Sequence, residues 1–258
     1  MFFHAAKARL EYRMWGEVSP ERPLIALLHE GLGCVEMWRR FPQALHEATK
    51  CPVLAWSRAG YGASSPRPAP WPLSYMQDEA EMVLPGILDQ TGAQKIILLG
   101  HSDGASIAAI YMGAMNDPRI LGGILLAPHF FVEDISVSSI RQAAIAYEQT
   151  DLRHKLKKYH GGNVDNAFWG WNRAWLDPGF RNWDITCFLD NITAPLLAVQ
   201  GADDQYGTLD QLAALGRHCH APVEMSVIEK CGHAAHLEQP EQTLDVITRF
   251  VKRLGCPD

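Results

Sequence analysis

Residues 95–104 read KIILLGHSDG, and this stretch decides the fold. The apolar run predicts a buried strand, and the small residues that follow at 105–109, ASIAA, predict a closely packed helix. Between them lies the pattern GxSxG, with Ser102 at its centre. Such a turn holds its serine in a strained conformation, and glycines flank it because neighbouring segments pack too closely for a Cβ. The stretch predicts a serine hydroxyl at the carboxyl edge of a sheet, with the Asp103 N–H at the helix start aimed at a developing oxyanion.

Short apolar runs alternate with longer helical patterns along most of the chain. Six runs predict strands: Leu24–His29, Pro52–Trp56, Lys95–Leu99, Gly123–Ala127, Pro195–Gln200 and Val223–Ile228. Four patterns predict helices: Tyr75–Asp89, Ala105–Met115, Thr208–His218 and Gln239–Leu254. A Pro85–Gly86 pair predicts a kink near the end of the first helix. Because most strands are continuously apolar, we expect an α/β fold with a mostly parallel central sheet flanked by helices.

Two regions depart from this alternation. Residues 10–14 alternate apolar and polar side chains, which predicts an edge strand with one wet face. Between 128 and 190 the chain becomes helical and aromatic, with tryptophans at Trp169, Trp171, Trp175 and Trp183. A segment of about 60 residues is too long for an unstructured loop in a compact domain. We therefore predict a helical lid at 129–190, inserted after the sixth strand, and a core formed by 1–128 and 191–258.

The composition indicates a globular chain with a large core. Of 258 residues, 47% are hydrophobic and 20% are charged, and the formal charge is −6. No large basic cluster is present, which argues against nucleic acid or an anionic membrane as a partner. The first residues lack the pattern of a secretory signal, and no apolar run approaches the roughly 20 residues that cross a bilayer. We expect a cytoplasmic protein, with both a monomer and a homodimer open.

The cysteines and histidines show no spacing that is typical of a metal site. Six cysteines lie apart without CxxC pairs, and we expect free thiols: Cys34, Cys51, Cys187, Cys219, Cys231 and Cys256. Several His and Cys residues lie between 218 and 236, but no HExxH or paired CxxC is present. We therefore expect neither a metal nor a cofactor.

The motif at 100–104 resembles the nucleophile elbow of the alpha/beta hydrolase family, and the likeness extends over nearly the whole chain. Residues 28–33, LHEGLG, resemble the family's HGxxG loop. The resemblance implies that the Gly31 N–H joins the Asp103 N–H in an oxyanion hole. Glu30 stands where the family usually has glycine, and its role stays open. Residues 57–64, SRAGYGAS, are similar to the family's RGxGxS turn, to which we assign no chemical step.

The family resemblance also implies an acid for a catalytic triad. The sequence at 200–205 is QGADDQ, and the family's carboxylate stands three residues after the glycine, which selects Asp204. Asp203 is the main rival, and Asp134 near the start of the predicted lid is a more remote one.

The predicted base follows the final strand, where residues 231–238 read CGHAAHLE. The histidine directly after the glycine, His233, matches the family's base. The chain order Ser102, Asp204, His233 is the order expected for this fold. A serine hydroxyl needs a neighbouring imidazole to take its proton, and that imidazole needs a carboxylate to orient it.

Aromatic residues of the predicted lid are candidates for a substrate pocket. We assign to this pocket Trp169, Trp171 and Trp175 of the lid and also His236, which follows the predicted base. The tryptophans also suit a hydrophobic core, and His236 also suits simple packing. The expected substrate is a small molecule with an acyl group.

The residues indicate acyl transfer, namely hydrolysis of a small carboxylic ester, thioester or lactone through an acyl-enzyme on Ser102. Two alternatives stay open. One is hydrolysis of a carbon–carbon bond in a ring-cleavage diketone, which is disfavoured because Ala234 follows the predicted base where such relatives typically have Trp. The other is a non-catalytic ligand-binding protein on the same fold.

Overall fold

An eight-stranded sheet forms the centre of the molecule. The structure is a computed structural model that describes residues 1–255. Its strands are β1 (Phe2–Ala5), β2 (Ala8–Trp15), β3 (Leu24–Leu28), β4 (Val53–Trp56), β5 (Ile96–His101), β6 (Ile120–Leu126), β7 (Leu196–Gly201) and β8 (Val223–Ile228). Their order is β1-β2-β4-β3-β5-β6-β7-β8, and β3 to β8 are parallel to one another. The predicted mostly parallel sheet is confirmed, and all six strands predicted from apolar runs are present.

The prediction of an edge strand at 10–14 is wrong. These residues belong to β2, which pairs antiparallel with β1 on one side and with β4 on the other. β1 forms the edge instead, joined to β2 by a turn in which Ala6 and Lys7 have φ of 45° and 65°. A tight turn with two left-handed residues ordinarily uses Asn or Gly. The sequence here carries no such turn signal, and the short first strand was therefore missed.

The parallel strands bring four chain segments together at the carboxyl edge of the sheet, and the first three follow β3, β5 and β6. Leu28 of β3 pairs with Gly100 of β5, and His101 pairs with Leu126 of β6. The segments after these three strands therefore begin side by side. β7 lies next to β6, so the loop after Gly201 reaches the same edge. Ligands of open parallel sheets bind at this edge.

Helices cover both faces of the sheet. They are α1 (Phe41–Thr49), α2 (Tyr75–Asp78), α3 (Leu84–Thr91), α4 (Asp103–Met115), α5 (Asp134–Gln149), α6 (Leu152–His160), α7 (Val164–Leu176), α8 (Thr186–Leu189), α9 (Asp210–His218), α10 (Ala235–Glu238) and α11 (Pro240–Arg253). A π-helical turn at Glu79–Val83 joins α2 to α3. The sequence predicted a kink at Pro85–Gly86, but the irregularity is this π-helical turn, which ends at Val83. Pro85 itself stands in the first turn of α3, where its missing N–H is not needed for a hydrogen bond.

Helix α4, which directly follows the predicted elbow, is deeply buried. Every residue from 103 to 113 is buried. Small side chains at Ala105, Ala108 and Ala109 allow close packing against the sheet, and all three are completely buried. Burial on all sides explains why this helix lacks an amphipathic pattern. The helix start is consequently held rigidly against the strands.

Helices α5 to α8 lie between β6 and β7, and we call residues 134–189 the helical insertion. Its aromatic residues join the main core, and Trp175 and Phe180 are 2% and 1% exposed. The helices of the insertion therefore share a hydrophobic core with the sheet. The boundaries 129–190 predicted for a separate lid stay a prediction.

Five of the six cysteines lie within the described part of the chain, and these five form no disulfide with one another. Cys256 lies outside the described residues. Among residues 1–255, no helix combines the length and the apolar character needed to cross a membrane.

Candidate active site

Ser102 lies at the sharp turn between β5 and α4. Its backbone has φ of 53° and ψ of −121°, a conformation that costs a non-glycine residue about 1–3 kcal/mol. A Cβ on Gly100 would lie 2.2 Å from the carbonyl oxygen of Gly104, and a Cβ on Gly104 would lie 2.0 Å from that of Leu28. Both flanking glycines are thus required by close backbone approach. The turn holds the serine at the carboxyl edge of the sheet.

His233 and Asp204 form a hydrogen-bonded pair beside this turn. The Nδ1 of His233 lies 2.9 Å from each carboxylate oxygen of Asp204. Asp204 follows β7, and its Oδ1 also accepts the backbone N–H groups of Tyr206 at 2.8 Å and Gly207 at 3.3 Å. Because Nδ1 is engaged by the carboxylate, Nε2 is the nitrogen of His233 that can take part in proton transfer.

The charge of Asp204 is stabilised by these neighbours. Burial works to raise the pKa of Asp204, but the hydrogen bond from His233, the charge of His233 and the Tyr206 N–H outweigh it and lower the pKa. The carboxylate therefore stays ionised at neutral pH and can hold the imidazole in one tautomer.

The two rival acids lie elsewhere. Asp203 is exposed, and its backbone N–H donates to the carbonyl of Cys231. Asp134 is exposed and pairs with Arg181 in the helical insertion. Neither carboxylate hydrogen-bonds to His233.

Ser102 and His233 line one small cavity of about 100 Å³. Apolar side chains form much of its wall: Leu32, Ile140, Trp171 and Trp175. Polar contributions come from Glu30, His129, Ser136 and Tyr206. A cavity of about 150 Å³ holds one benzene ring, so this space suits only a compact group.

The N–H groups of Gly31 and Asp103 belong to residues that line the same cavity. Within residues 1–255, neither N–H donates a hydrogen bond to another group. Both donors are therefore free to bind a negatively charged oxygen. A Cβ on Gly31 would lie 2.1 Å from Nε1 of Trp171. Only glycine fits beneath that indole ring.

The loop that carries Gly31 is held by residues of the turn at 57–64. Arg58 donates through its NH2 group to the carbonyl of Glu30 at 3.0 Å, and its backbone N–H donates to Nε2 of His29 at 3.1 Å. The hydroxyl of Tyr61 donates to the carbonyl of Gly31 at 2.8 Å. Sequence reasoning assigned this turn no chemical step, and its contacts agree with a role in fixing the loop.

Glu30 lies over a space that Gly33 leaves open. A Cβ on Gly33 would lie 2.4 Å from Oε2 of Glu30. The same oxygen is 3.5 Å from Nδ1 of His101, whose Nε2–H donates to the carbonyl of His233 at 2.9 Å. Burial works to raise the pKa of Glu30, but the interaction with His101 outweighs it and holds that pKa far below its usual range. Glu30 thus links the Gly31 loop to the His233 loop.

The carboxylate of Asp103 is hydrogen-bonded by two buried side chains. It accepts hydrogen bonds from the hydroxyl of Tyr75 and from Nε1 of Trp175, the latter at 3.2 Å. Burial raises the pKa of Asp103. The side chain therefore ties the start of α4 to helix α7 of the insertion.

The structure brings Trp171 and Trp175 to the cavity but not the other two pocket candidates. Trp169 is half-buried and lies against Tyr147 and Phe168, outside the wall of this cavity. His236 is buried between Trp38, Phe41 and His101. The helical spacing places Trp171 and Trp175 on one face of α7 and turns Trp169 to another face.

Sequence reasoning missed several residues of the cavity wall, chiefly His129 and Tyr206. His129 comes shortly after β6, at the carboxyl edge where sites of parallel sheets form. That position is the signal that could have singled it out. Tyr206 comes shortly after Asp204 on the loop that follows β7.

No three His, Cys, Asp or Glu side chains within residues 1–255 are grouped so as to hold a metal ion. The chemistry available at this edge is that of a serine hydroxyl, an imidazole paired with a carboxylate, and two free N–H donors.

Known proteins resemble this chain in sequence and in fold. A model of the alpha/beta hydrolase family matches residues 25–246. The chain is 26% identical to "Lipase LipV" of Mycobacterium tuberculosis over 95% of this chain and 98% of that protein. It is 22% identical to a proline iminopeptidase of Lactobacillus crispatus over 93% of each chain.

A solved structure has the same fold at low sequence identity. A thermophilic esterase from Thermogutta terrifontis superposes with a TM-score of 0.73 and 19% identity, covering 98% of each chain. The family match spans most of the molecule, including the strands and loops that build the site described above. The chain therefore belongs to the alpha/beta hydrolase family.

Proposed function

We propose that this protein is a serine hydrolase that cleaves small carboxylic esters, thioesters or lactones. The observation that carries the proposal is the shared cavity of Ser102 and His233, with Asp204 bonded to the far side of the imidazole. The strained turn at Ser102 and the free N–H groups of Gly31 and Asp103 support the same conclusion. Hydrolytic function also agrees with the family.

In the first half of the reaction, Oγ of Ser102 attacks the carbonyl carbon of the substrate. Nε2 of His233 takes the hydroxyl proton, while Asp204 stabilises the imidazolium that forms. The carbonyl oxygen becomes an oxyanion and accepts hydrogen bonds from the Gly31 and Asp103 N–H groups. Collapse of this intermediate breaks the bond to the leaving group, which receives the proton from His233. An ester on Ser102 remains.

In the second half, water takes the place of the leaving group. His233 removes one proton from the water as its oxygen attacks the acyl carbon. The oxyanion forms again at the same two N–H groups. When the bond to Oγ breaks, His233 returns the proton to Ser102, and the carboxylic acid leaves.

The cavity favours a compact, apolar acyl group. Its volume of about 100 Å³ is below the roughly 300 Å³ at which sites for drug-sized ligands begin. Trp171 closes the space directly above Gly31. We therefore propose acyl groups of a few carbon atoms. The name of the lipase relative favours carboxylic esters, and the cavity size favours short ones.

The test combines active-site labelling with a graded series of substrates. A fluorophosphonate probe should label the native protein and leave Ser102→Ala unlabelled, because only an activated serine reacts with it. Hydrolysis of p-nitrophenyl acetate should exceed that of the butyrate and far exceed that of the octanoate. Thioesters, lactones and a ring-cleavage diketone complete the screen.

Two outcomes would contradict the proposal. Equal absence of labelling in the native and Ser102→Ala proteins, with no turnover of any substrate, would favour a ligand-binding protein. Turnover of the diketone alone would favour carbon–carbon bond hydrolysis.

Trp171→Ala sharpens the assignment of the acyl pocket. Removing the indole should open the cavity above Gly31 and raise kcat/KM for the octanoate relative to the acetate by about tenfold, since each added methylene in an apolar pocket counts for about 1–3 kcal/mol. Trp169→Ala is the matched control and should leave the ratio within about twofold. An unchanged ratio in Trp171→Ala would place the acyl group elsewhere.

A further inference from the structure

His129 is a buried imidazole on the cavity wall that the mechanism above does not use. It is 3% exposed. Within residues 1–255 its ring makes no hydrogen bond, and its Nδ1 is buried without a partner. Buried polar groups normally have partners. Since Nδ1 is enclosed by protein, Nε2 is the nitrogen that can reach a molecule in the cavity.

The backbone around His129 is fixed from two sides. Oγ of Ser106, on helix α4, donates to the carbonyl of His129 at 2.6 Å. The next residue, Phe130, donates its N–H to Oε1 of Gln211 at 2.7 Å. The ring itself packs edge-on against Trp175, with 5.2 Å between centroids. The imidazole is therefore held in place relative to Ser102, which directly precedes helix α4.

The electrostatic surroundings keep this ring neutral. Burial and, after it, the charges of His233 and His101 together lower the pKa of His129 to about 3, although the charge of Asp204 acts in the opposite direction. A neutral imidazole offers both a donor and an acceptor nitrogen. It can consequently hydrogen-bond to water without placing a second positive charge beside His233.

The distance to the base suits one intervening water. The ring centroids of His129 and His233 are 5.6 Å apart, and the rings are inclined by 33°. Two hydrogen bonds of about 2.8–3.0 Å each let one water join nitrogen atoms up to about 6 Å apart, so a single water can bridge two rings whose centroids are this close. The leaving group must depart on the side of His233, because His233 protonates it. The place it vacates is therefore the place where the hydrolytic water has to bind.

We propose that His129 binds the hydrolytic water beside His233 and so controls deacylation of the enzyme. The inference rests on the proposed serine mechanism. The water is hydrogen-bonded to Nε2 of His129 and transfers one of its protons to Nε2 of His233. Its oxygen attacks the acyl carbon, the bond to Oγ of Ser102 breaks, and the proton taken by His233 returns to that oxygen. His129 keeps its own proton throughout.

The test separates acylation from deacylation by stopped-flow kinetics with p-nitrophenyl acetate. His129→Phe keeps the ring shape and its packing on Trp175 but removes both nitrogens. The rate of the nitrophenol burst should stay within about twofold of the native rate. The steady-state turnover should fall about 10- to 100-fold, because a misplaced reactant costs rates of this order. The burst amplitude should approach one equivalent per active site.

His129→Gln is the variant that distinguishes water binding from a structural role. The amide nitrogen of glutamine can reach the place of Nε2, so this protein should recover at least half of the lost turnover on a logarithmic scale. Thermal unfolding of both variants checks that the fold is intact.

The possible results distinguish a failure of this inference from a failure of the proposed serine mechanism. A burst in the native protein, with turnover unchanged in His129→Phe, would overturn the inference alone. A rise in KM with unchanged deacylation would overturn it too, since His129 would then bind substrate. If the native protein showed no acylation at Ser102, the serine mechanism itself would fail, and the inference with it.

Discussion

The turn around Ser102 and the helical insertion meet in one cavity, but they are built in different ways. Around the turn, backbone packs on backbone: Gly104 lies where any Cβ would be 2.0 Å from the carbonyl oxygen of Leu28. In the insertion, large side chains form the contacts, as when the Trp175 indole donates to Asp103. Backbone contact leaves almost no freedom in sequence, whereas side-chain contact can be rebuilt with other residues. The chemistry should therefore depend on the first region and the substrate range on the second.

Among residues other than Ser102, the largest effect should come from the loop that orients the base. Asp204→Asn should lower kcat about 10⁴-fold, because the amide favours the wrong tautomer of His233. The adjacent Asp203→Asn should stay within about twofold, since that side chain is exposed and does not contact His233. Steady-state kinetics with a short p-nitrophenyl ester measure both. The reverse ranking would assign the acid to Asp203.

Two glycines test the contrast in packing. Gly104→Ala should lower the free energy of unfolding by at least about 3 kcal/mol, because its methyl group meets backbone that cannot move aside. At Gly162, in the insertion, an added methyl group would meet no atom within 4 Å, and Gly162→Ala should change stability by less than about 0.5 kcal/mol. Urea denaturation of the three proteins gives the comparison. Similar losses in both variants would mean that the two regions pack alike.

Two aspartates allow a comparison of how much a buried and an exposed carboxylate contribute to stability. Asp117, after helix α4, accepts hydrogen bonds from Arg119 at 2.7 Å and from Tyr111 at 2.6 Å, and its side chain is 9% exposed. Burial works to raise the pKa of Asp117, but Arg119 and Tyr111 outweigh it and lower the pKa to about 2. A lowered pKa stabilises the fold above pH 4 and loses that contribution as the pH falls toward 2.

Asp117→Asn should therefore reduce the free energy of unfolding at pH 7 by about 2 kcal/mol and flatten its decline between pH 4 and 2. Asp165, in the insertion, also has a lowered pKa because Arg153 donates to it, but its side chain is 51% exposed. Because solvent screens this pair, Asp165→Asn should reduce the free energy of unfolding by less than about 1 kcal/mol. Denaturation at several pH values measures both. Equal losses of free energy in the two variants would mean that burial of the carboxylate does not set its contribution to stability.

The sequence predicted the features that depend on local backbone constraints. The GxSxG turn and the apolar runs of the parallel strands follow directly from residue type and order. β1 escaped because its turn uses Ala6 and Lys7 instead of glycine or asparagine. The predicted edge strand was wrong for the same reason.

The cavity wall was harder to predict because it depends on which side chains meet across distant segments. Helix periodicity separates Trp169 from Trp171 and Trp175, but it could not tell which of the two helix faces lines the cavity with Ser102. His129 carries no motif, and only its place after β6 marks it. The contacts from Glu30 to His101 and from His101 to the His233 carbonyl join two loops through the end of β5, and they likewise required coordinates.

The most direct test of the central claim is mass spectrometry of the acylated protein. After rapid mixing with p-nitrophenyl acetate and acid quenching, the native protein should carry one acetyl group, and peptide mapping should place it on Ser102. Ser102→Ala should carry none and should lose turnover about 10⁴- to 10⁶-fold. An acetyl group on another residue, or undiminished turnover in Ser102→Ala, would contradict the account.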